Sequence, residues 1–276
     1  MREIVVKHPA LCLTVLAMVF GIVPLWAVSA GFLPKEASQL GALSASLAGF
    51  VLAFLTGGAK GFYNLLKRGL KWRVGLGWWA FALVFPVIPS VAALYLYSVI
   101  GGPQVTWDGL DPIWKVVPLI LLLTLLAGFG EEFGWRGFAM PRLQARFGAL
   151  ASCLCIGCLW GLWHLPLFMV EGTVQNDWLQ DAGWIVAIGG YVVFCMAWSV
   201  QFGWVFNNTG GSVLVAAVMH GAGNAWFGGY VDVYRGDFGG VLVFTVVMAV
   251  VSGALVAVSG AENLSRKETR VADDGR

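Results

Sequence analysis

Charge is what this sequence has least of. Only 12% of its 276 residues are Asp, Glu, Lys or Arg, about half the share with which a water-soluble domain hydrates its surface. That scarcity excludes an ordinary soluble fold. Cysteine is sparse too, and all five thiols (Cys12, Cys153, Cys155, Cys158 and Cys195) fall inside apolar stretches. A disulfide framework is therefore excluded, and the thiols read as small hydrophobes. Cys155 and Cys158 share a C-x-x-C spacing, yet no second pair accompanies them. The net charge of +2 gives no basis for a nucleic-acid partner. There is no internal repeat and no separate polar domain.

What is present in excess is apolar sequence. The hydrophobic share is 59% and the mean hydropathy +0.79. It comes in runs of about 20 residues, the length that carries a helix through roughly 30 Å of hydrocarbon. The runs lie at 10–32, 39–56, 77–101, 114–138, 149–170, 183–206, 212–229 and 238–260. Between them stand Pro34, Gly57-Gly58, Gly101-Gly102-Pro103, Gly148, Gly172, Gly210-Gly211 and Gly236, the usual breakers. The first run follows Arg2 and Lys7 but exceeds a secretory h-region, so it reads as a retained span. The expected fold is all-α, a polytopic transmembrane bundle of about eight spans. Residues 1–260 form one integral membrane domain, and residues 261–276 form a disordered tail.

Orientation follows from the basic residues, which stay on the cytoplasmic side. With eight spans and both termini inside, fourteen of the seventeen Lys and Arg residues fall on that side. The opposite loops are acidic, with Glu36, Asp108, Asp111, Glu171, Asp177, Asp181, Asp232 and Asp237 set against Lys35, Lys115 and Arg235.

The informative residues are those that lipid rejects. An intramembrane carboxylate costs at least about 2.5–3.5 kcal/mol on insertion scales, so it marks a candidate site. Glu131, Glu132 and Arg136 fall in the fourth run, His164 in the fifth, and His220 and Asn224 in the seventh. Glu132 and Arg136 are i, i+4, the spacing of an ion pair, leaving Glu131 to face elsewhere. His220 and Asn224 share a helix face in the same way, and Trp160 stands one turn before His164. Glu131 and His164 lie at equal distances from a turn placed at Phe147-Gly148, so antiparallel helices bring them to one depth. Gly130 and Gly134 permit close helix approach there. Structural alternatives stand beside each reading. Glu132–Arg136 can simply lock helices, a buried His can be a packing residue, and Asn224 can bridge two helices.

Three patterns in this order, Glu131-Glu132-x-x-x-Arg136, Trp160-x-x-x-His164 and His220-x-x-x-Asn224, resemble the motifs of the CAAX protease and bacteriocin-processing (Abi, or type II CAAX prenyl endopeptidase) family. Trp160 stands where the family pattern has Phe. The resemblance is convincing over 116–228. It implies an intramembrane endopeptidase whose cavity opens to the cytoplasmic side. In it Glu131 activates water with His164, His220 and Asn224 hold the oxyanion, and Glu132, Arg136 and Trp160 support the site. The implied substrate is a membrane-embedded or lipidated peptide, and a water-filled cavity among the helices is required. Two cofactor options stay open: zinc on Glu131, His164 and His220, or a metal-free water activated by glutamate. Compact loops and the lack of a targeting segment point to a bacterial plasma membrane. A proton-coupled transporter and a non-catalytic scaffold or immunity protein are the competing functions.

Overall fold

The computed structural model describes residues 2–107, 112–234, 237–267 and 269–272. Asp108, Asp111, Arg235, Gly236 and the tail after residue 272 lie outside the described residues. Among the described residues every regular element is helical. A short N-terminal helix, Arg2–Lys7, leads into α1 (Pro9–Val28), α2 (Leu40–Gly69), α3 (Leu76–Val99), α4 (Ile113–Phe147), α5 (Ala149–Met169) and α6 (Val174–Asn208). Then come α7 (Val213–Asn224) and α8 (Phe238–Ser259). Each corresponds to one of the eight apolar runs.

Among the described residues, seven of these helices are long and apolar enough to cross a membrane, and α7 is the exception. At twelve residues it is too short, and its surroundings compensate. Nine of its twelve residues are buried, because α3, α4 and α6 pack around it. A helix wrapped by protein needs no lipid-facing stripe, so it can carry His220 and Asn224. A π-helical turn, Ala225–Tyr230, continues it.

The expected breaks appear, some as kinks. Gly58 (φ +58°) bends α2, which then runs on to Gly69 with Lys67 and Arg68 in its last turn. The boundary read at residue 56 is thus a bend, at a backbone angle that only glycine adopts without strain. Phe85-Pro86 interrupts α3. Gly183 (φ +72°) kinks α6, whose first turn is capped by the Thr173 hydroxyl accepting from Asn176 N–H at 3.2 Å. Gly148 (φ +73°) makes the turn between α4 and α5 at the expected place.

Side chains tie the helix ends into two chemically different caps. At the basic end, Arg146 donates to the carbonyls of Val6 and Lys7 at 2.6 and 2.7 Å. Lys71 donates to the Gly210 carbonyl at 2.7 Å, and Ser212 donates to the Lys71 carbonyl at 2.7 Å. At the acidic end, Tyr97 donates to Asp237 at 2.5 Å, and Asp181 accepts from Phe238 N–H at 2.6 Å.

The tail was expected to be disordered over 261–276; of its described residues, several pack against the basic end. Leu264 and Ser265 are buried, and the Glu262 and Ala261 carbonyls accept from Ala149 and Leu150 N–H at 2.8 and 2.9 Å. A charged composition had been read as lack of structure, but these contacts are mostly main-chain and leave no mark on composition.

Candidate active site

The acid pair sits where α4 changes its winding. Thr124–Gly128 and Phe133–Ala139 are π-helical, and a single α-turn, Phe129–Glu132, lies between them. Such π segments concentrate at functional sites because they redirect side chains within a continuous helix. Small residues let the backbones close in. A Cβ on Gly134 would lie 2.3 Å from the Ala45 carbonyl oxygen, and one on Gly49 would lie 2.9 Å from Gly134 Cα. A Cβ on Gly221 would lie 2.4 Å from Thr124 N. So α2 and α7 press directly on the α4 backbone, and both glutamates are turned inward, away from lipid.

Glu132 is the hub. Its Oε1 accepts from Arg136 Nη1 at 3.0 Å and lies 2.7 Å from His220 Nδ1. Glu131 reaches the other side of the same ring, with Oε1 3.9 Å from His220 Nε2. The second oxygen of Glu131 accepts from Trp160 Nε1 at 2.5 Å. Glu131, Glu132, Arg136, Trp160 and His220, from α4, α5 and α7, thus form one contiguous polar cluster. Charge-assisted bonds of this kind are roughly twice as strong as neutral ones.

His164 joins at the edge. Its Nδ1 is 2.8 Å from the Trp160 carbonyl, and a carbonyl only accepts, so Nδ1 carries the hydrogen. In the neutral ring Nε2 is then a free base. The expected meeting of Glu131 with α5 falls on Trp160, one turn short of His164. Asn224 stands one turn beyond His220, is only partly buried, and its side chain makes no hydrogen bond among the described residues; its amide is uncommitted.

Aromatic rings enclose the cluster. The Arg136 guanidinium lies 4.8 Å from the Trp160 ring centroid and 4.2 Å from that of Phe202. The His220 ring is 5.5, 5.2 and 5.6 Å from Trp160, Trp198 and Phe202. Tyr191 lies 5.1 Å from His164. The sequence reading missed Tyr191, Trp198 and Phe202. The available signal was an aromatic stripe at helical spacing on the sixth run, through Phe194.

One expectation meets a different arrangement. A water-filled pocket around Glu131 was required, but Glu131, His164 and His220 are 3%, 8% and 2% exposed, so the cluster is packed shut. A small cavity is lined by Trp198, Gly223, Phe227 and Met248, the first of which also packs on the His220 ring. And no three His, Cys, Asp or Glu side chains among the described residues form a group able to hold a metal ion. The contacts of Glu131 Oε2 with Trp160 and of His220 Nδ1 with Glu132 leave the other oxygen and Nε2 free, but Glu131, His164 and His220 do not form such a group. Cys155 and Cys158 are free thiols, the first of them exposed.

The chain is similar to known proteins over this region. Residues 113–226, which include all three motifs, match a family described as Type II CAAX prenyl endopeptidase Rce1-like. The chain is 28% identical over 143 residues to CAAX prenyl protease 2 of Methanococcus maripaludis, a match covering 50% of this chain and 52% of that protein. The chain thus spans about half the length of the curated relative it matches.

Proposed function

We propose that this chain is an intramembrane endopeptidase that hydrolyses peptide bonds of membrane-embedded or lipidated peptides with a water activated by Glu131. The observation that carries this reading is the placing of two adjacent buried carboxylates on opposite nitrogens of one imidazole, at 2.7 and 3.9 Å. A structural lock needs only Glu132 and Arg136. The second glutamate has no structural task that a neutral residue would not perform at lower desolvation cost.

Each group then has a step. Trp160 fixes one oxygen of Glu131, and the other takes a proton from water as the water oxygen bonds to the scissile carbonyl carbon. His164, with Nδ1 engaged, offers Nε2 as a second acceptor to that water. The developing oxyanion accepts from the Asn224 amide and, when the ring is doubly protonated, from His220 Nε2–H. Glu131 returns its proton to the amide nitrogen as the C–N bond breaks. Glu132 and Arg136 keep the His220 ring in place. Because the cluster is closed, substrate access requires these helices to part. The basic end faces the cytoplasm in this reading, in a plasma membrane, and the name of the archaeal relative makes prenylated C-terminal peptides the first substrates to try.

The test is cleavage of membrane-anchored reporter peptides, prenylated and not, by protein reconstituted in liposomes. Glu131→Gln should keep helicity and elution volume while losing about 10² or more in rate. Equal cleavage by wild type and Glu131→Gln would overturn the reading and favour a non-catalytic scaffold.

A further inference from the structure

At the basic end, two buried amides 63 residues apart face each other. Gln144 Nε2 donates to Asn207 Oδ1 at 3.0 Å, and Asn207 Nδ2 donates back to Gln144 Oε1 at 2.7 Å. Their remaining capacity goes to main chain. Val271 N–H donates to Asn207 Oδ1 at 3.1 Å, and Gln144 Nε2 donates to the Val271 carbonyl at 2.7 Å. Both backbone groups of one residue are therefore taken, much as a neighbouring strand would take them. Asn207 Nδ2 also donates to the Asn263 carbonyl at 2.8 Å. Arg270 lies alongside, with Nε donating to the Gln144 carbonyl at 2.8 Å and Nη1 to Glu262 Oε1 at 2.5 Å. The Val271 side chain rests against Gly211, where a Cβ would lie 3.3 Å from Val271 Cγ1.

We propose that Gln144 and Asn207 form a docking groove for the main chain of an extended polypeptide, that Arg270-Val271 fills it in cis, and that a membrane-anchored partner carrying a basic residue followed by a small apolar one competes for it. The amide pair reads N–H and C=O, which every extended segment offers. Preference comes from the Glu262 carboxylate and the Asn263 side-chain oxygen, which accepts from Arg270 Nη1 at 3.1 Å, beside the basic side chain, and from the Gly211 surface beside the apolar one. The groove is costly to leave empty, since each buried donor or acceptor stripped of its partner costs about 1–3 kcal/mol; a departing tail has to be replaced. The tail is joined through a short turn, so its local concentration is on the order of millimolar. A free peptide competes poorly against that, whereas a partner held in the same membrane meets it on similar terms. The groove lies at the ends of α4 and α6, the helices that bear Glu131, Glu132, Arg136 and the enclosing rings. Docking there does not depend on whether the chain hydrolyses peptides.

The experiment uses the full chain. Val271→Pro removes the N–H given to Asn207 and frees the groove; a fluorescent peptide of the sequence Arg266 to Arg276 is then titrated in trans. The variant should bind it saturably, and wild type at least about ten-fold more weakly. The same peptide N-methylated at the valine should not bind. A folded variant that ignores the peptide, or that binds the N-methylated form equally well, overturns the proposal. If Val271→Pro does not fold, hydrogen exchange on wild type decides. Val271 N–H must then exchange faster than the amides of α6, and exchange only through global unfolding would mean a tail that never leaves.

Discussion

Glu132 Oε1 lies 2.7 Å from His220 Nδ1 and 3.0 Å from Arg136 Nη1, so one buried oxygen joins the third motif to the first. That sharing makes Arg136 dependent on Glu132. Arg136 is fully buried, and removing the carboxylate leaves its charge uncompensated, a loss of about 3–5 kcal/mol. Glu132→Gln alone should therefore unfold far earlier on heating than the double variant Glu132→Gln/Arg136→Met, which removes both charges. In the reporter assay both should be slow, because His220 has lost its partner. Thermal unfolding in detergent, run as a double-mutant cycle, checks the first part. Independent, additive effects would show that the two residues are not coupled.

Trp160 supplies the donor to Glu131 at 2.5 Å and part of the wall around His220. Trp160→Phe separates these tasks, since the ring stays and the N–H goes. The expected result is a rate loss of about ten-fold with KM unchanged, because Glu131 loses orientation rather than the site losing shape. Trp160→Ala should in addition destabilise by about 3–5 kcal/mol. A Trp160→Phe protein with unaltered kcat would show that Glu131 needs no fixed orientation.

How much of this was legible follows from the physics of lipid. Apolar runs and intramembrane charges are local signals, so the eight helices, the turn at Gly148 and the residues Glu131, Glu132, Arg136, His164 and His220 could be read one by one. The rings of Trp198 and Phe202 showed only as part of an aromatic stripe at helical spacing, because fourteen tryptophans and eighteen phenylalanines make any one of them unremarkable until a partner is known. The kinks at Gly58 and Gly183 were visible only as glycines. The fold-back of the tail was hidden for a different reason: Val271 is held by its N–H and C=O, which every residue possesses. The closed state of the cluster depends on how α2 and α7 seat on α4, a property of backbone approach that residue identities announce only through Gly49, Gly134 and Gly221.

That seating gives a prediction about packing alone. Gly134→Ala puts a methyl 2.3 Å from the Ala45 carbonyl oxygen, against backbone that cannot swing aside, and should cost about 1–3 kcal/mol. Gly253→Ala is the matched control, with nothing within 4 Å of its added carbon; there the change should be neutral or slightly stabilising, as the helix gains propensity. Thermal stability of the two variants in the same detergent makes the comparison. Equal stability would mean that α2 stands further from α4 than described.

The last prediction concerns metal. A zinc site needs three protein ligands with free lone pairs converging on one point. Here Glu131 Oε2 is held by Trp160 at 2.5 Å, and His220 Nδ1 lies 2.7 Å from Glu132. That leaves one oxygen of Glu131 and one nitrogen on each histidine, and no such group of three forms among the described residues. Binding zinc would require the free Glu131 oxygen and the two histidine nitrogens to draw together into one group, which they do not form here. Protein purified without added metal should therefore contain well under one equivalent of zinc, and its reporter cleavage should survive dialysis against a strong chelator. The informative contrast is Glu131→Asp, which shortens the side chain by one methylene. In a glutamate-activated mechanism it loses rate without changing metal content. If instead wild type carries stoichiometric zinc, loses activity on chelation and regains it with zinc, and Glu131→Asp binds less of it, then the Trp160–Glu131 bond belongs to a resting form and the ligands converge on loading.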